Sequence, residues 1–318
     1  MLNLQNKMKT PLLSIVIANF NYGRFLEEAI RSVVAQNMGE FLELIICDAA
    51  SSDNSVDVIK KYANGLPPNI EYSDWLSKSS RQHTKGLQLI TWWCSEKDGG
   101  QSAAFNKGFS HARGKWISWL NSDDLLLPGT VRAFSRLISR HPHAEWVAGN
   151  MISFESCSRK IIRVNWGPHI KPPLLKRARS FYAVFGPTTF WRKSLYDKVG
   201  PIDESLHYTM DTEYWARITM AGVKQYRLNY ICWGFRKHEE SKTVGIQTEE
   251  ILSRRKEETE YWIRKTGYRF QTRFTNIWYL LWVLWRVIDL SWVMRGIQKF
   301  KYEGKPLDKM FHLITAEL

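Results

Sequence analysis

Two acidic clusters in this sequence each follow a short apolar run. Asp48 directly follows the run FLELIIC, and Asp123 and Asp124 stand shortly after the run WISWL. Adjacent carboxylates at strand ends suit a hard divalent cation such as Mg²⁺ or Mn²⁺, which takes oxygen ligands and shares them with phosphates. An isolated acidic turn more often only caps the next helix, so the placement at strand ends carries the metal hypothesis.

Three further segments carry side chains that catalysis uses. Asp211 stands at an expected helix start in HYTMDTEYW, where it could be a carboxylate base or an ordinary N-cap, and Glu213 follows it. His238 lies in the basic run FRKHEESK. Asp98 and Gly100 belong to the string DGGQ before a predicted helix. Glycines there permit close backbone approach, and a helix N-terminus favours an anion.

The elements that must position these residues alternate between strand and helix. The alternation predicts a parallel sheet with right-handed crossovers. Ligands bind beyond the carboxyl ends of the strands in such sheets, so both acidic clusters are expected at one edge. Residues 63–89 interrupt the pattern as a loop, and 144–193 suggest short strands and loops. The predicted strands are 12–18, 41–47, 87–94 and 116–120, and the predicted helices are 23–36, 53–62, 102–112, one beginning at Pro128, 211–222 and 248–265.

The composition is that of a folded chain with a large positive charge. The 318 residues are 44% hydrophobic and 24% charged, which excludes wholesale disorder, and the net charge of +14 favours an anionic partner. No helix-turn-helix, zinc-finger or RNP signature is present, so nucleic acid is not the expected partner. Four scattered cysteines and a polar N-terminus without a signal-peptide core predict a reducing, cytoplasmic location.

Tryptophan is concentrated in the last part of the chain. In the run FTNIWYLLWVLWRVIDLSWVM at residues 274–294, large apolar residues recur at three- and four-residue steps, and Lys299, Lys301 and Lys305 follow it. The recurring residues are Trp278, Leu281, Trp282, Trp285, Ile288 and Trp292. A Trp-rich amphipathic helix with basic flanks is typical of a membrane interface, although packing as ordinary core is the alternative. We therefore predict a catalytic domain at 1–240 and a helical extension at 241–318, with an anionic membrane surface as a candidate partner.

Three blocks of the sequence follow one another with regular spacing over about residues 12–240. They are SIVIANFNYGRFLEEAIRSVVAQ…LELIICDAASSDNSVDVIKKY, SEKDGGQSAAFNKGFSHARGKWISWLNSDDLLLPG and GPTTFWRKSLYDKVGPIDESLHYTMDTEYWARITMAG. In order and spacing these blocks resemble family-2 glycosyltransferases of the GT-A fold, and the second is typical of the bacterial branch with D-G-G-Q and N-S-D-D motifs. The resemblance implies an α/β fold with a Rossmann-like, mostly parallel central sheet flanked by helices. It also implies inverting transfer of a sugar from a nucleotide-diphosphate donor, with UDP favoured, to a glycan or lipid-linked acceptor in cell-surface polysaccharide biosynthesis.

The same resemblance assigns a donor site. It implies a Mn²⁺ or Mg²⁺ ion held by Asp123, Asp124 and His238, with Asp124 the preferred direct ligand. Asn121 stands where many relatives carry an Asp, which lowers the charge of this site. Ala49 and Ala50 replace the usual Asp or Gly and Gly, so the turn after Asp48 is expected to be stiff. The residues matched to nucleotide binding are Asn19, Asp48, Asp98, Gly100 and Asp123.

On the acceptor side, Asp211 matches the family's catalytic base and Glu213 is the reserve. Trp191 and Trp215 are candidate walls for a sugar, with burial in the core as the alternative. A sugar-nucleotide pyrophosphorylase is a second hypothesis, but residues 18–24 lack the Gly-rich basic loop that cradles a triphosphate; a degenerate transferase that only binds nucleotide or glycan is a third. The expected location is the cytoplasm, at the inner face of the membrane, and the sequence leaves the oligomeric state open.

Overall fold

The computed structural model describes most of the chain. All of the predicted loop at 63–89 except residues 63 and 64 lies outside the described residues, as do residues 168–185 of the short strands and loops predicted at 144–193. The described residues are 10–36, 41–64, 90–167, 186–242, 245, 248–267 and 275–308.

Four parallel strands form the N-terminal half of the sheet, in the order β3-β2-β1-β4. Every residue of β1 and β2 is buried, because helices cover both faces of this part of the sheet. The register pairs Asn19 with Asp48, so the carboxyl ends of these strands meet as predicted. The elements are β1 (Leu13–Asn19), α1 (Gly23–Val34), β2 (Leu42–Asp48), α2 (Ser55–Ala63), β3 (Ile90–Ser95), α3 (Gln101–His111) and β4 (Trp116–Asn121).

The second half continues the same sheet with mixed strand directions. Strand β4 pairs antiparallel with β8, and the order runs on through β6 and β9 to β5, with β7 beside β6. Only the β6–β9 pair of this half is parallel. The predicted α/β fold is confirmed, with its parallel character concentrated in β1–β4. The elements are β5 (Leu125–Leu126), α4 (Thr130–Arg140), β6 (Trp146–Glu155), β7 (Ile161–Asn165), β8 (Thr189–Arg192), α5 (Lys193–Val199), α6 (Met210–Met220) and β9 (Gln225–Lys237).

Helix α3 lies unusually close to the sheet. A Cβ atom built on Gly108 would stand 2.2 Å from Cγ1 of Val16 on β1. Any side chain at position 108 would therefore push α3 and β1 apart. The close approach fixes the position of α3, whose first turn begins at Gln101, immediately after the DGGQ glycines.

Three helices follow residue 240: α7 (Glu249–Thr266), α8 (Thr275–Ile288) and α9 (Ser291–Tyr302). The single helix predicted over 274–294 is wrong, because Leu290 takes a left-handed conformation with φ of +59° and Asp289 accepts a hydrogen bond from the backbone of Ser291. Trp262 of α7 is fully buried in the core beside α6, and Tyr302 lies in a cluster with β6 and β7. A division at residue 240 therefore does not separate two hydrophobic cores. Within the described residues, no helix combines the length and apolar character needed to span a bilayer.

Candidate functional site

A cleft of about 700 Å³ opens beyond the carboxyl ends of β1, β2 and β4. This size suits a small-molecule ligand. The loops after these strands, the first turn of α3 and the segment after β9 form its walls, so the predicted edge of the sheet is where the cleft lies. Its charged and polar lining residues include Asn19, Tyr22, Lys97, Asp98, Gly100, Gln101, Asp123 and Lys242.

Asp123 is the member of the Asp123–Asp124 pair that lines the cleft. Its Oδ2 lies 3.0 Å from Nε2 of His238, and both side chains are largely buried. The imidazole packs between the rings of Tyr22 and Phe25, at centroid distances of 5.5 and 4.8 Å. Burial, together with the charge of Asp123, raises the pKa of Tyr22 to about 12, so its hydroxyl stays protonated. Asp123 thus lines the cleft, and the His238 imidazole contacts it from behind without lining the cleft itself.

Asp124 lies behind the wall of the cleft. It is 0% exposed, and its two oxygens accept hydrogen bonds from the backbone N–H of Arg236 (2.9 Å) and from Nδ2 of Asn121 (2.8 Å). Burial and the neighbouring charge of Asp123 raise the pKa of the Asp124 carboxyl. In this geometry the Asp124 oxygens hold the loop together and Asp123 is the acid of the pair that lines the cleft, while the preference for Asp124 as the direct metal ligand stays a prediction. Asn121 is also explained, since an amide can donate to Asp124 and a carboxylate could not.

Arg236 holds the loop that carries Asp123 and Asp124, which we call the acidic loop. Its Nε donates to the backbone carbonyl of Asp123 at 2.7 Å, and its guanidinium pairs with Glu28 of α1. The guanidinium also stacks on the rings of Phe25 and Phe154, about 5 Å from each centroid. Sequence reasoning missed this role, because nothing in the sequence connects Glu28 with a residue 208 positions away.

Asp48 holds together the ends of the strands around it. The carboxylate is 1% exposed and accepts hydrogen bonds from Asn19 Nδ2 (2.7 Å), Ser95 Oγ (2.6 Å) and the backbone and hydroxyl of Ser51. The adjoining turn, with Ala50 at φ of +55°, lines the cleft. Asn19 also lines the cleft, whereas Asp48 stands behind its wall. The Asp48 carboxylate therefore positions the turn that lines the cleft, and the nucleotide contact expected of it stays a prediction.

The DGGQ segment contributes an anion-attracting wall. The N–H of Gly100 donates to Asp98 Oδ1 at 2.8 Å, and Gly100, with φ of +107°, forms the N-cap of α3 without a capping side chain. Lys97 and Lys242 line the same cleft, and Nζ of Lys242 lies 3.5 Å from Oε1 of Gln101. Two ammonium groups and a helix N-terminus favour a phosphate-bearing ligand.

Asp211 is the second residue of α6, after the N-cap Thr209. Its half-buried carboxylate accepts hydrogen bonds from the backbone N–H (2.7 Å) and hydroxyl (3.2 Å) of Thr212, and burial raises its pKa. Helix α6 begins next to α3, where Ser102 Oγ donates to Met210 Sδ at 2.9 Å. Asp211 is thus on a helix adjoining the cleft, although it is not among the residues lining it.

Glu258 of α7 holds the loop that leads into α6. Its buried carboxylate accepts hydrogen bonds from three consecutive backbone N–H groups, those of His207 and Tyr208 at 2.9 Å and of Thr209 at 3.1 Å. An anion at this position satisfies the unpaired donors of a helix N-terminus and complements its dipole. Sequence reasoning missed Glu258, because it stands among many charged residues in a helix assigned to a separate extension.

Three acceptor-side predictions are corrected by the structure. Trp191 is 0% and Trp215 2% exposed, and their rings pack edge to face in the core, so neither presents a surface to a sugar. Glu213 is 1% exposed and forms an ion pair of 2.5 Å with Arg217, which also donates to the carbonyl of Val199. Glu213 therefore fastens α6 to the preceding loop and is not available as a reserve base.

The residues at the cleft fit a divalent cation bound together with its ligand. Within the described part of the chain, no group of three or more His, Cys, Asp or Glu side chains is arranged to hold a metal by itself. Asp123 and His238 supply one oxygen and one nitrogen, which Mn²⁺ accepts and Mg²⁺ uses mainly through the oxygen. His238 Nδ1 is buried without a hydrogen-bond partner among the described residues, so no second contact fixes the imidazole tautomer. Phosphate oxygens would complete such a site.

Curated relatives share part of this chain. A glycosyltransferase of Nostoc sp. strain PCC 7120, itself uncharacterised, is 28% identical over 203 residues, or 60% of this chain and 54% of its own length. A glycosyltransferase of PGL/p-HBAD biosynthesis from Mycobacterium bovis is 26% identical over 210 residues, covering 65% and 69%. The chain spans about half the length of the first curated relatives that it matches.

Solved structures share the fold. Staphylococcus aureus TarS 1–349 in complex with UDP-GlcNAc aligns with a TM-score of 0.57 and 17% identity, covering 76% of this chain and 64% of TarS. The mannosyltransferase PcManGT from Pyrobaculum calidifontis, in complex with GDP-Man and Mn²⁺, aligns with a TM-score of 0.54 and 13% identity over 97% of this chain and 80% of its own. At these identities the likeness concerns the fold alone.

The model of the family described as glycosyl transferase family 2 matches residues 14–75 and 77–199. The match includes β1–β4, the acidic loop and strand β8, and it covers more than half of the chain. This protein therefore belongs to glycosyl transferase family 2.

Proposed function

We propose that this protein transfers a sugar from a nucleoside-diphosphate donor to a hydroxyl group of a glycan or lipid-linked acceptor, with inversion at the anomeric carbon. The observation that carries the proposal is the cleft lined by Asp123, the N-terminus of α3 and two lysines, with His238 in contact with Asp123 from behind. This combination of groups suits a diphosphate bound with a divalent cation.

On the donor side, the leaving diphosphate gains negative charge as the glycosidic bond breaks. Asp123 and His238 would hold a Mn²⁺ or Mg²⁺ ion, which supplies Lewis-acid neutralisation of that charge. Lys97, Lys242 and the first turn of α3 attract the phosphate groups, and the turns containing Asn19 and Ala50 enclose the nucleoside end. Asp48, Asp124 and Arg236 act behind the wall by keeping these loops in place.

On the acceptor side, Asp211 is the proposed base. The acceptor oxygen attacks the anomeric carbon from the face opposite the diphosphate, its proton passes to the Asp211 carboxylate, and the nucleoside diphosphate leaves with the electrons of the broken C–O bond. Burial raises the pKa of Asp211, which strengthens the carboxylate as a base. Because activity needs the unprotonated form, we expect kcat/KM to fall as the pH decreases through this raised pKa.

UDP is the proposed nucleotide, supported by the similarity to TarS, which binds UDP-GlcNAc. The proposed pathway is assembly of a cell-envelope glycan, supported by the relative named for PGL/p-HBAD biosynthesis. A lipid-linked acceptor would be reached at the cytoplasmic face of the membrane. None of these assignments is needed for the chemistry at Asp123 and Asp211, and each is tested separately.

The first experiment measures binding and turnover in parallel. UDP, dTDP, GDP and CDP are added with Mn²⁺, with Mg²⁺ or with EDTA, and the melting temperature of the full chain is followed. A ligand at a hundred times its Kd stabilises the fold by about 2.7 kcal/mol. We expect metal-dependent stabilisation by one nucleotide, and release of that nucleoside diphosphate from the matching sugar nucleotide.

Variants separate the two halves of the proposal. Asp123→Asn should abolish the metal-dependent stabilisation, whereas Asp211→Asn should retain it and lose turnover by at least about a hundredfold. Asp57→Asn, an exposed carboxylate on α2, is the matched control and should change neither. Release of pyrophosphate would instead support a pyrophosphorylase, and the absence of nucleotide binding under every condition would contradict the proposed site.

A further inference from the structure

Exposed apolar side chains are concentrated in helices α8 and α9. Among the described residues, sixteen large hydrophobic side chains are exposed, and ten of them fall between Leu280 and Phe300. The other six are scattered over the remaining surface. Monomeric proteins seldom expose a contiguous apolar patch of this kind unless it binds something.

The exposed residues of α8 form one stripe. Leu280, Leu281, Leu284, Val287 and Ile288 follow the spacing i, i+1, i+4, i+7 and i+8, which places them on a single face of the helix. The opposite side is held to the domain, where Arg286 Nη2 donates to the carbonyl of Trp166 at 3.0 Å. The apolar stripe is therefore the outer face of α8.

Helix α9 continues the surface after the turn at Leu290. Trp292, Val293, Ile297 and Phe300 project from one side of the helix, and Phe300 is 91% exposed. Ser291 and Tyr302 are buried on the other side, so α9 is fixed with its apolar face outward. We call the ten exposed apolar residues of α8, the connecting turn and α9 the apolar ridge; they are Leu280, Leu281, Leu284, Val287, Ile288, Leu290, Trp292, Val293, Ile297 and Phe300.

Charge distinguishes the possible occupants of the apolar ridge. Lys299 and Lys301 flank Phe300, and helical geometry puts them on opposite borders of the ridge. Of the acids between residues 275 and 308, Asp289 accepts from the backbone of Ser291 and Asp308 pairs with Arg159. Glu303 accepts from the backbone of Val164 through Oε1, and its Oε2 lies 3.9 Å from Nζ of Lys299, so it offsets part of that charge. With Lys301 on the other border, the charge beside the ridge is positive on balance.

We propose that the apolar ridge docks this protein onto a bilayer containing anionic lipid, with the ridge inserted at the level of the headgroups. Long lysine side chains keep their ammonium groups at that level while their neighbours enter the acyl region. A second copy of this chain fits less well, because a two-fold interface would bring the basic borders of two ridges together. The inference is independent of the proposed catalytic chemistry, since no ridge residue lines the cleft.

Vesicle binding tests the proposal on the whole 318-residue chain. Cosedimentation is measured with vesicles of phosphatidylcholine alone and with 30% phosphatidylglycerol, at about 0.1 M and 0.5 M salt. We expect binding to the anionic vesicles that weakens at high salt. Ile297→Ser with Phe300→Ser should weaken it by about tenfold or more, and Lys299→Gln with Lys301→Gln by about fivefold per lysine.

The control is Leu252→Ser, which removes a comparably exposed leucine from α7, outside the ridge. It should leave vesicle binding unchanged. Because the substituted ridge side chains are exposed, circular dichroism and the melting temperature should match the wild type. Nucleoside-diphosphate release from the sugar-nucleotide donor, measured with a soluble acceptor, should also persist in the ridge variants, so a failed catalytic proposal and a failed docking proposal remain distinguishable.

Two results would overturn the proposal. One is vesicle binding that the serine and glutamine variants leave unchanged. The other is a concentration-dependent dimer that the Ile297→Ser, Phe300→Ser variant dissociates, with no binding to anionic vesicles; light scattering after size-exclusion chromatography detects it, and that result would assign the ridge to a second copy of this chain.

Discussion

Helices α7 and α8 are close in sequence, and composition misleads about both. Ten of the eighteen residues of α7 are charged, yet it is anchored in the core by Trp262 and placed against α6 by Glu258. Only one of the fourteen residues of α8 is charged, yet much of its apolar surface faces outward. A charged helix is thus part of the catalytic fold, and an apolar helix forms its periphery.

The difference teaches that two well-placed contacts outweigh overall polarity. Burying one Trp and satisfying three backbone donors with one carboxylate is enough to integrate α7. The many apolar residues of α8 and α9 are more than one side of two short helices can bury against the domain. Substitutions that remove either type of contact test this comparison.

The largest expected effect is at Trp262. Trp262→Ala should lower the free energy of unfolding by about 3–5 kcal/mol, because the side chain is fully buried among the aromatic residues of the core. Phe300→Ala, on the exposed ridge, should change it by less than about 0.5 kcal/mol. Chemical denaturation of both variants measures the contrast, and similar losses would mean that α9 is as integrated as α7.

An intermediate effect is expected at Glu258. Glu258→Gln removes the charge that three backbone donors share and should lower the free energy of unfolding by about 1.5–3 kcal/mol. If Glu258 positions Asp211, kcat should fall by about tenfold while nucleotide binding, which we propose occurs at the cleft, stays unchanged. Glu260→Gln, an exposed neighbour, serves as the control. Loss of stability with an unaltered kcat would reduce Glu258 to a structural contact.

The smallest effect is expected at the ion pair between Lys265 and Asp203, in which Nζ and Oδ2 lie 2.6 Å apart. Burial alone would raise the pKa of Asp203, but hydrogen bonds from Lys265 and Ser205 lower it. The pair therefore stabilises the fold above the ordinary aspartate pKa, and this contribution disappears as the pH falls through the lowered value. Because Lys265 is half exposed, Lys265→Ala should cost only about 0.2–1 kcal/mol at pH 7. Urea unfolding at pH 7 and pH 3 should show the difference shrinking with acid.

Much of the N-terminal half could be predicted because its signals are local. β-branched apolar runs and helical periodicity fixed β1–β4 and α1–α3 to within a few residues, and the rule for strand ends located the cleft. Asp123 and Gly100 followed directly, since each stands next to the element that positions it.

The features that the sequence did not reveal depend on contacts between distant residues. The sequence NSDD cannot reveal which carboxylate faces the cleft, because that depends on the backbone N–H of Arg236, 112 positions away. Trp191 and Trp215 have the composition of a sugar-binding wall and also that of a core, and only the packing of β8 against α6 decides between them. The turn at Leu290 contains neither Gly nor Pro, the residues that usually mark a turn in a sequence.

One consequence concerns the missing methyl group at Gly108. Helix α3 can rest on β1 only because position 108 has no Cβ, and the other end of the same rigid helix carries Gly100 and Gln101 into the cleft. A single carbon added at Gly108, seven residues after Gln101, would displace a wall of the cleft. The width of the cleft is therefore governed by Gly108, which lies near the end of α3 that is away from the cleft. A substitution there would change which ligands fit without replacing any residue that lines the cleft.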